Sequence, residues 1–526
     1  MLNNLKLLKN RKFLLVLGII FIGLFLRLWN FQNLFYFAID EEKGAYIIKG
    51  ITTFSHFPAL GHPSSVGFRL GPLLYYLIAP IYKMFGPNPV NWGLLSVLTS
   101  LLSMILIYKI GIKIDKFTGI FALFLYSLSY LNVIYDRRGW PVSFHSLIAL
   151  SILYSLLKIK NGKEKYIVVL TFALIAATHF EIASLLFLPL IIIAWFIFKL
   201  KVKRKLIIFS ILLFLLSQSG FIISDLRHNF LNTKYLINYF DPYAKVRIAK
   251  NVPLTGVRNV YLAHNLIPST FVRSLFTFSK SNVAIQYANC PQYLAFKQSQ
   301  IPIILKQGIA FTFLVFFYFV FKNWKEKTDR LAILKIIFIY LIIIFSGITV
   351  YTYLFHGEMA EYYLLSAFAY FFLMLSFMLS KLFKSRIKII VILFLTIFML
   401  DNTQKLFLSN NPYGMEEKLA AVDYSLAIVG SQPFVLDSFQ TCWYSGGYRY
   451  LYTLKGYEPL VSYMDQYLSE YYTPDKITEP IYQVVILTPE LIGSNPLGFE
   501  EYRKKIDSIA DYKEKFGAIE MYVRKI

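Results

Sequence analysis

The sequence FLLVLGIIFIGLFLRLWN (13–30), continued by FQNLFYFAIDEEKGAY (31–46), decides how the rest of the chain is read. The first run carries a single charge, Arg27, and has the length a helix needs to cross a bilayer. The second carries three consecutive acids, Asp40, Glu41 and Glu42. No small-residue cleavage site follows the first run, so it is expected to remain as a helix rather than be removed as a signal.

Runs of the same kind recur at 89–108, 118–134, 143–157, 166–178, 182–198, 206–223, 302–321, 332–354, 362–380 and 387–400. The chain is 57% hydrophobic and only 16% charged, whereas soluble domains are roughly a quarter charged. These patterns predict an all-α polytopic membrane protein with about eleven membrane-spanning helices. The segment 68–85 is apolar but broken by Pro72 and Pro80. It reads as a helix lying at, or re-entering, the outer interface.

The connections alternate in charge. KIGIKIDK (109–116), KIKNGKEK (158–165), KLKVKRK (199–205), FKNWKEKTDR (321–330) and KLFKSRIK (381–388) are short and basic, as is the N-terminus. Basic short loops are cytoplasmic. The remaining connections, including the long loops 31–88 and 224–301, are then extracytoplasmic. The net charge of +24 is thereby explained by helix orientation, and no nucleic-acid partner is expected. Cys290 and Cys442 are the two cysteines. Both fall on the oxidising side, where one disulfide is open to them.

After residue 400 the pattern changes. PFVLDS (433–438), QVVILTP (483–489) and IEMYVRK (519–525) read as strands. Residues 415–429 and 499–516 read as amphipathic helices. The chain thus divides into a transmembrane part, 1–400, and a small extracytoplasmic α/β domain, 401–526.

The ionisable groups gather in the outer connections. AIDEEKGAY (38–46) offers carboxylates for acid–base work, although Asp40 is also a good helix N-cap. GHPSSVGFRLGPLLYYLIAP (61–80) brings His62 and Arg69. YDRRGWP (135–141) pairs Arg137 with Arg138, and guanidinium forks match phosphate oxygens. THFEIAS (178–184) joins two runs of about 13 and 17 residues, near 20–26 Å at 1.5 Å per residue. That falls short of the roughly 30 Å hydrocarbon core, which sets His179 and Glu181 low in the bundle, where ionisable groups are functional by default. SDLRHNF (224–230) holds Arg227 and His228, and FHGEMAEYY (355–363) holds Glu361 and Tyr362. Helix capping, snorkelling and polar turns are the structural alternatives for each. No phosphate-binding loop, dinucleotide glycine pattern, HExxH or CxxC is present, which disfavours a nucleotide-driven pump and a zinc peptidase.

Taken in order, these motifs resemble the membrane-embedded C-type glycosyltransferases, in particular the polyprenyl- and dolichyl-phosphate-mannose protein mannosyltransferase superfamily. The resemblance covers 13–400. It rests on Asp40-Glu41 after the first helix, GPLLYYLIAP, YDRRGWP, THFE, SDLRHNF and EYYLL. It implies an active site at the outer membrane surface and an inverting transfer of a sugar, mannose-like hexose foremost, from a polyprenyl-phosphate donor. Asp40 matches the family's carboxylate, the base toward the acceptor hydroxyl, with Glu41 in support. Arg137 or Arg138, with Arg227 and His228, would steady the lipid phosphate. His62, Arg69, His179, Glu181, Glu361 and Tyr362 are the further candidates for substrate contact. The acceptor is protein, lipid or glycan. No cofactor or metal ligand is assigned, and a divalent cation is left open. A transporter or flippase of lipid-linked saccharides is the competing class. It would distribute charges along the helices, which here are nearly charge-free inside.

Overall fold

The computed structural model describes residues 11–64, 67–240, 256–277, 301–355, 361–439, 446–471, 478–489 and 496–526. Cys290 and Cys442, and with them the disulfide expectation, lie outside the described residues. Every apolar run expected to span is helical. Among the described residues six helices are long and apolar enough to cross a membrane alone: Val90–Ile114, Pro141–Lys160, Ile303–Lys322, Asp329–Tyr353, Glu361–Phe383 and Lys388–Leu408. The pair Arg204–Ser217 and Ser219–Arg227, bent by 44°, makes a seventh if taken as one span. The runs at 118–134, 166–178 and 182–198 fall on shorter apolar helices, Lys116–Leu128, Tyr166–Phe180 and Ile182–Phe198. The first run falls on Arg11–Leu28. Leu73–Phe85, with Pro80 inside it, is a separate helix of 13 residues.

The bundle closes around Leu365–Phe383, most of which is buried and which packs on Lys116–Leu128 and His145–Lys160. Val90–Ile114 and Lys116–Leu128 meet where Gly111 faces Gly119. A Cβ on Gly111 would lie 2.6 Å from the Gly119 Cα, so side chains there would force the helices apart.

The basic connections gather at one end. Lys160 pairs with Asp329 at 2.9 Å, Lys384 with Asp115 at 3.2 Å, and the Lys203 amide donates to Glu164 at 2.8 Å. These contacts join 158–165 with 199–205 and 321–330, and 109–116 with 381–388, and the field of Lys113 on Asp329 brings the two groups together. The acids of 40–42 and Glu361 lie in the opposite set of connections, as the alternation predicts.

At that second end the first helix is held by two buried arginines. Arg27 is fully buried and donates to Asp136 at 3.0 and 2.7 Å. Ser100 also donates to Asp136, at 2.8 Å. Arg137 turns the other way and donates to the carbonyls of Arg27 (3.1 Å), Trp29 (2.8 Å) and Leu26. The C-terminal carbonyls of an α-helix lack intrahelical donors, and a cation there also matches the dipole. The turn 135–140 is thus bolted to the end of the first helix.

Among the described residues the C-terminal part forms a four-stranded sheet in the order β1-β2-β4-β3, with β1 Phe434–Asp437, β2 Tyr482–Leu487, β3 Tyr512–Phe516 and β4 Ile519–Lys525. β1 and β2 are parallel, and the other neighbours are antiparallel. One face, with Val484, Ile486, Met521 and Val523, joins the main core under the helix Met415–Val429. The other, with Val485, Leu487 and Tyr522, packs on Phe499 and Ile506 of Pro496–Ile509. The α/β reading holds, with one correction. The helix expected over 499–516 stops at Ile509, and YKEKF is a strand. Gly517, at φ 57°, turns the chain back on itself. The exposed Lys and Glu residues of β3 suit a sheet edge, where charge blocks further pairing.

Removing one partner of a buried ion pair strands the other, at a cost of about 3–5 kcal/mol. Arg27→Met should therefore lower the thermal midpoint of the purified protein strongly. The double variant Arg27→Met, Asp136→Leu should recover part of the loss.

Candidate functional site

The three acids 40–42 open the helix Ile39–Thr52, and each has a different environment. Glu42 is fully buried and accepts from the backbone amides of Gly447 at 2.8 Å and Tyr450 at 2.9 Å. These are the first amides of the helix Tyr448–Leu454, so Glu42 caps a helix of the C-terminal domain. Lys418 reinforces the junction by donating to the carbonyls of Phe37 (2.7 Å) and Gly446 (2.6 Å). Burial pushes its ammonium down to about 7, against the pull of Glu42 and Glu41.

Glu41 faces the transmembrane side. One carboxylate oxygen accepts from the Ala38 amide at 3.1 Å, the N3-to-N-cap half of a capping box, and the other accepts from Arg138 Nη2 at 2.9 Å. The Arg138 guanidinium lies between two rings, 3.8 Å from the centroid of Tyr36 and 4.1 Å from that of Trp140. Burial raises the Glu41 carboxyl, and Arg138 opposes that shift.

Asp40 differs from both. Its side chain is 26% exposed, and among the described residues nothing hydrogen-bonds its carboxylate. The nearest charged or ionisable partner is His62, with Nε2 at 3.9 Å from Oδ1. His62 is fixed from behind by a short hydrogen bond between Nδ1 and the Tyr75 hydroxyl, which leaves Nε2 turned toward Asp40. Burial, then Lys43 and Arg69, push the His62 pKa down to about 3, so the imidazole is neutral. The Asp40 carboxyl is raised above its ordinary value by burial, with Lys43 and Arg138 opposing. It is a carboxylate made more basic and left with unused lone pairs.

The other candidates frame this centre. Arg69 pairs with Glu470 of the C-terminal domain and donates to the Gly61 carbonyl at 3.3 Å. His179 reaches the Ser217 carbonyl through Nε2 at 3.1 Å. Its ring fills the space beside Gly71, where a Cβ would fall 2.0 Å from Nδ1. Glu181 accepts from the Ile182 amide at 2.9 Å and caps the short helix that follows. Glu361 accepts from Tyr135 at 3.0 Å and pairs with Arg273. Tyr362 packs edge-on against Trp140 at 4.9 Å, with its hydroxyl in the field of both Glu181 and Asp40.

Three expected phosphate contacts lie elsewhere. Arg137 is engaged by the first helix's carbonyls. Arg227 and His228 are exposed beyond the bend, and His228 donates back to the Ser224 carbonyl at 2.8 Å. It is their neighbour Asp225 that organises this loop, accepting from the amides of Asn232 at 2.9 Å and Thr233 at 3.2 Å. Asn232 in turn accepts from the Arg69 amide at 2.6 Å, so the loop backs the His62–Arg69 segment. Lys43, Tyr75 and Glu42 were not singled out from the sequence. The three-residue spacing of Asp40 and Lys43 on one helix was the available signal. Among the described residues no three His, Cys, Asp or Glu side chains converge as a metal site would require.

The crystal structure of ArnT from Cupriavidus metallidurans bound to undecaprenyl phosphate is similar to this chain, with a TM-score of 0.50 at 10% identity over 97% of both chains. The chain has the C-type glycosyltransferase fold. The apo oligosaccharyltransferase of Archaeoglobus fulgidus is similar as well, with a TM-score of 0.50 at 12% identity, covering 90% of this chain and 69% of that one. No protein-family model matches the sequence, and no curated protein does. In this C-type fold the groups around Asp40 come from the connections at one end of the bundle and from the C-terminal domain that closes on them.

Glu42→Gln keeps the shape but turns an NH₂ toward one of two amide donors. Losing a charged acceptor costs about 1.5–3 kcal/mol. The variant should melt earlier and release segment 401–526 to protease faster than wild type, which a time course of limited proteolysis would record.

Proposed function

We propose that the protein is an inverting glycosyltransferase that moves a sugar from a polyprenyl-phosphate donor to an acceptor hydroxyl at the outer membrane face. The observation that carries this reading is the separation of the three acids. Glu41 and Glu42 are committed to structural partners, while Asp40 is raised, partly exposed and unbonded among the described residues. The fold supports the donor class, since ArnT carries undecaprenyl phosphate in its crystal structure. The motif resemblance supports a mannose-like hexose, with protein, lipid or glycan as acceptor.

In the proposed reaction Asp40 accepts the proton of the acceptor hydroxyl. The acceptor oxygen attacks the anomeric carbon, and the bond from that carbon to the phosphate oxygen breaks. The electron pair leaves with the polyprenyl phosphate, and a single displacement inverts the anomeric centre. Arg138 holds Glu41 and so keeps the first helical turn in place beneath Asp40. Tyr362 and neutral His62 border the space in which the acceptor would sit. The proposed topology has about eleven spans, the basic end cytoplasmic and 401–526 outside.

Asp40→Asn should leave the fold and melting behaviour near wild type and reduce turnover by about 10² to 10⁴, the contribution of a positioned base. For the wild type, kcat/KM should fall as pH drops through a pKa above the ordinary aspartate value, because the base works deprotonated. Near wild-type turnover in Asp40→Asn would remove the proposed mechanism.

Orientation is tested separately on a cysteine-free background. Lys504→Cys should react with an impermeant maleimide from outside, and Lys201→Cys only after the membrane is opened.

A further inference from the structure

The reading of Asp40 as base leaves open which cation receives the negative charge that arrives on the phosphate. Of the arginines that the sequence offered, Arg137, Arg138 and Arg69 are already engaged, and Arg227 is exposed beyond the bend of the helix pair 204–227. Arg137 donates to three carbonyls of the first helix. Arg138 is paired with Glu41 and enclosed by two rings. Arg69 is paired with Glu470, Arg273 with Glu361, and Arg449 with Asp465. Lys418 donates to two carbonyls. His62 is neutral.

Lys43 stands apart from these. It follows Asp40 by three residues in the helix Ile39–Thr52, and so shares its face. It is 8% exposed. Among the described residues it has no hydrogen bond and no ion pair, although its charge is felt by both Asp40 and His62. A lysine this enclosed, with the Asp40 carboxylate in its field and no direct partner among the described residues, offers a charge that an anionic ligand can complete.

We infer that Lys43 is the donor-phosphate contact, taking the phosphoryl oxygens of a polyprenyl phosphate. This rests on the proposed function. The charge balance of the transfer fits the placement. During the reaction one negative charge leaves Asp40, as the proton arrives there, and appears on the departing phosphate as the carbon–oxygen bond breaks. A cation near the carboxylate at the start can hold the phosphate at the end, with no net change around it. A lysine serves as a point charge for phosphate where an arginine fork would demand two aligned acceptors.

The test measures binding of undecaprenyl phosphate and of undecaprenol, the same lipid without the phosphate, to purified protein by intrinsic fluorescence. Wild type should prefer the phosphate. Lys43→Met should weaken undecaprenyl phosphate binding by roughly tenfold to a hundredfold, the worth of a charge-assisted contact, and leave undecaprenol binding unchanged. Lys43→Arg should retain part of the preference, and a thermal melt of each variant separates loss of the contact from loss of the fold. Should wild type bind both lipids alike, the lipid-phosphate donor is excluded and the role of Lys43 goes with it. Should wild type show the preference and a folded Lys43→Met keep it, only the assignment of Lys43 is overturned.

Discussion

Three carboxylates within one helical turn repel one another wherever water is thinned out, and the end of the bundle that carries them is built around that conflict. Two are neutralised by different parts of the chain. Arg138 meets Glu41 from the bundle side, and the amides opening Tyr448–Leu454 meet Glu42 from the C-terminal side. Each acid therefore fixes one side of the same short helix. Asp40, between the two restraints, is held in position without being consumed. Its basicity comes from burial that nothing fully compensates.

The turn after the third apolar run serves this arrangement with consecutive residues that point apart. Asp136 pairs with Arg27 inside the bundle, Arg137 caps the first helix, and Arg138 reaches out to Glu41. The first helix and the acid-bearing helix are thereby referred to one rigid corner. The bundle helices alone could not do this, because their facing surfaces are apolar and carry little directional information.

The same corner shows what a linear reading can and cannot see. The order of the motifs and their gathering at one end were legible, because charge placement along a membrane protein is a one-dimensional signal. Which of two adjacent arginines serves structure was not, since neighbouring side chains diverge by an angle that only the folded turn defines. Lys43 follows three acids directly in the sequence, yet two of those acids find their partners about a hundred and four hundred residues away. The YKEKF segment has a helix-compatible pattern and becomes a strand because β4 offers an open edge, a contact outside any local window. Glu181 was expected low in the bundle, and its role as a cap on the following short helix became visible only once the break after Phe180 was known.

Glu42 is bonded to amides 405 and 408 positions further along the chain. During synthesis, the acid-bearing helix waits, with a carboxylate bound for the interior and no partner, until about four hundred further residues exist. The site around Asp40 thus cannot take its final shape on a nascent chain. A product truncated anywhere before Gly447 carries an uncapped interior acid near its beginning, a defect that marks it as incomplete. The helix Tyr448–Leu454 thus completes the burial of an acid about four hundred positions before it.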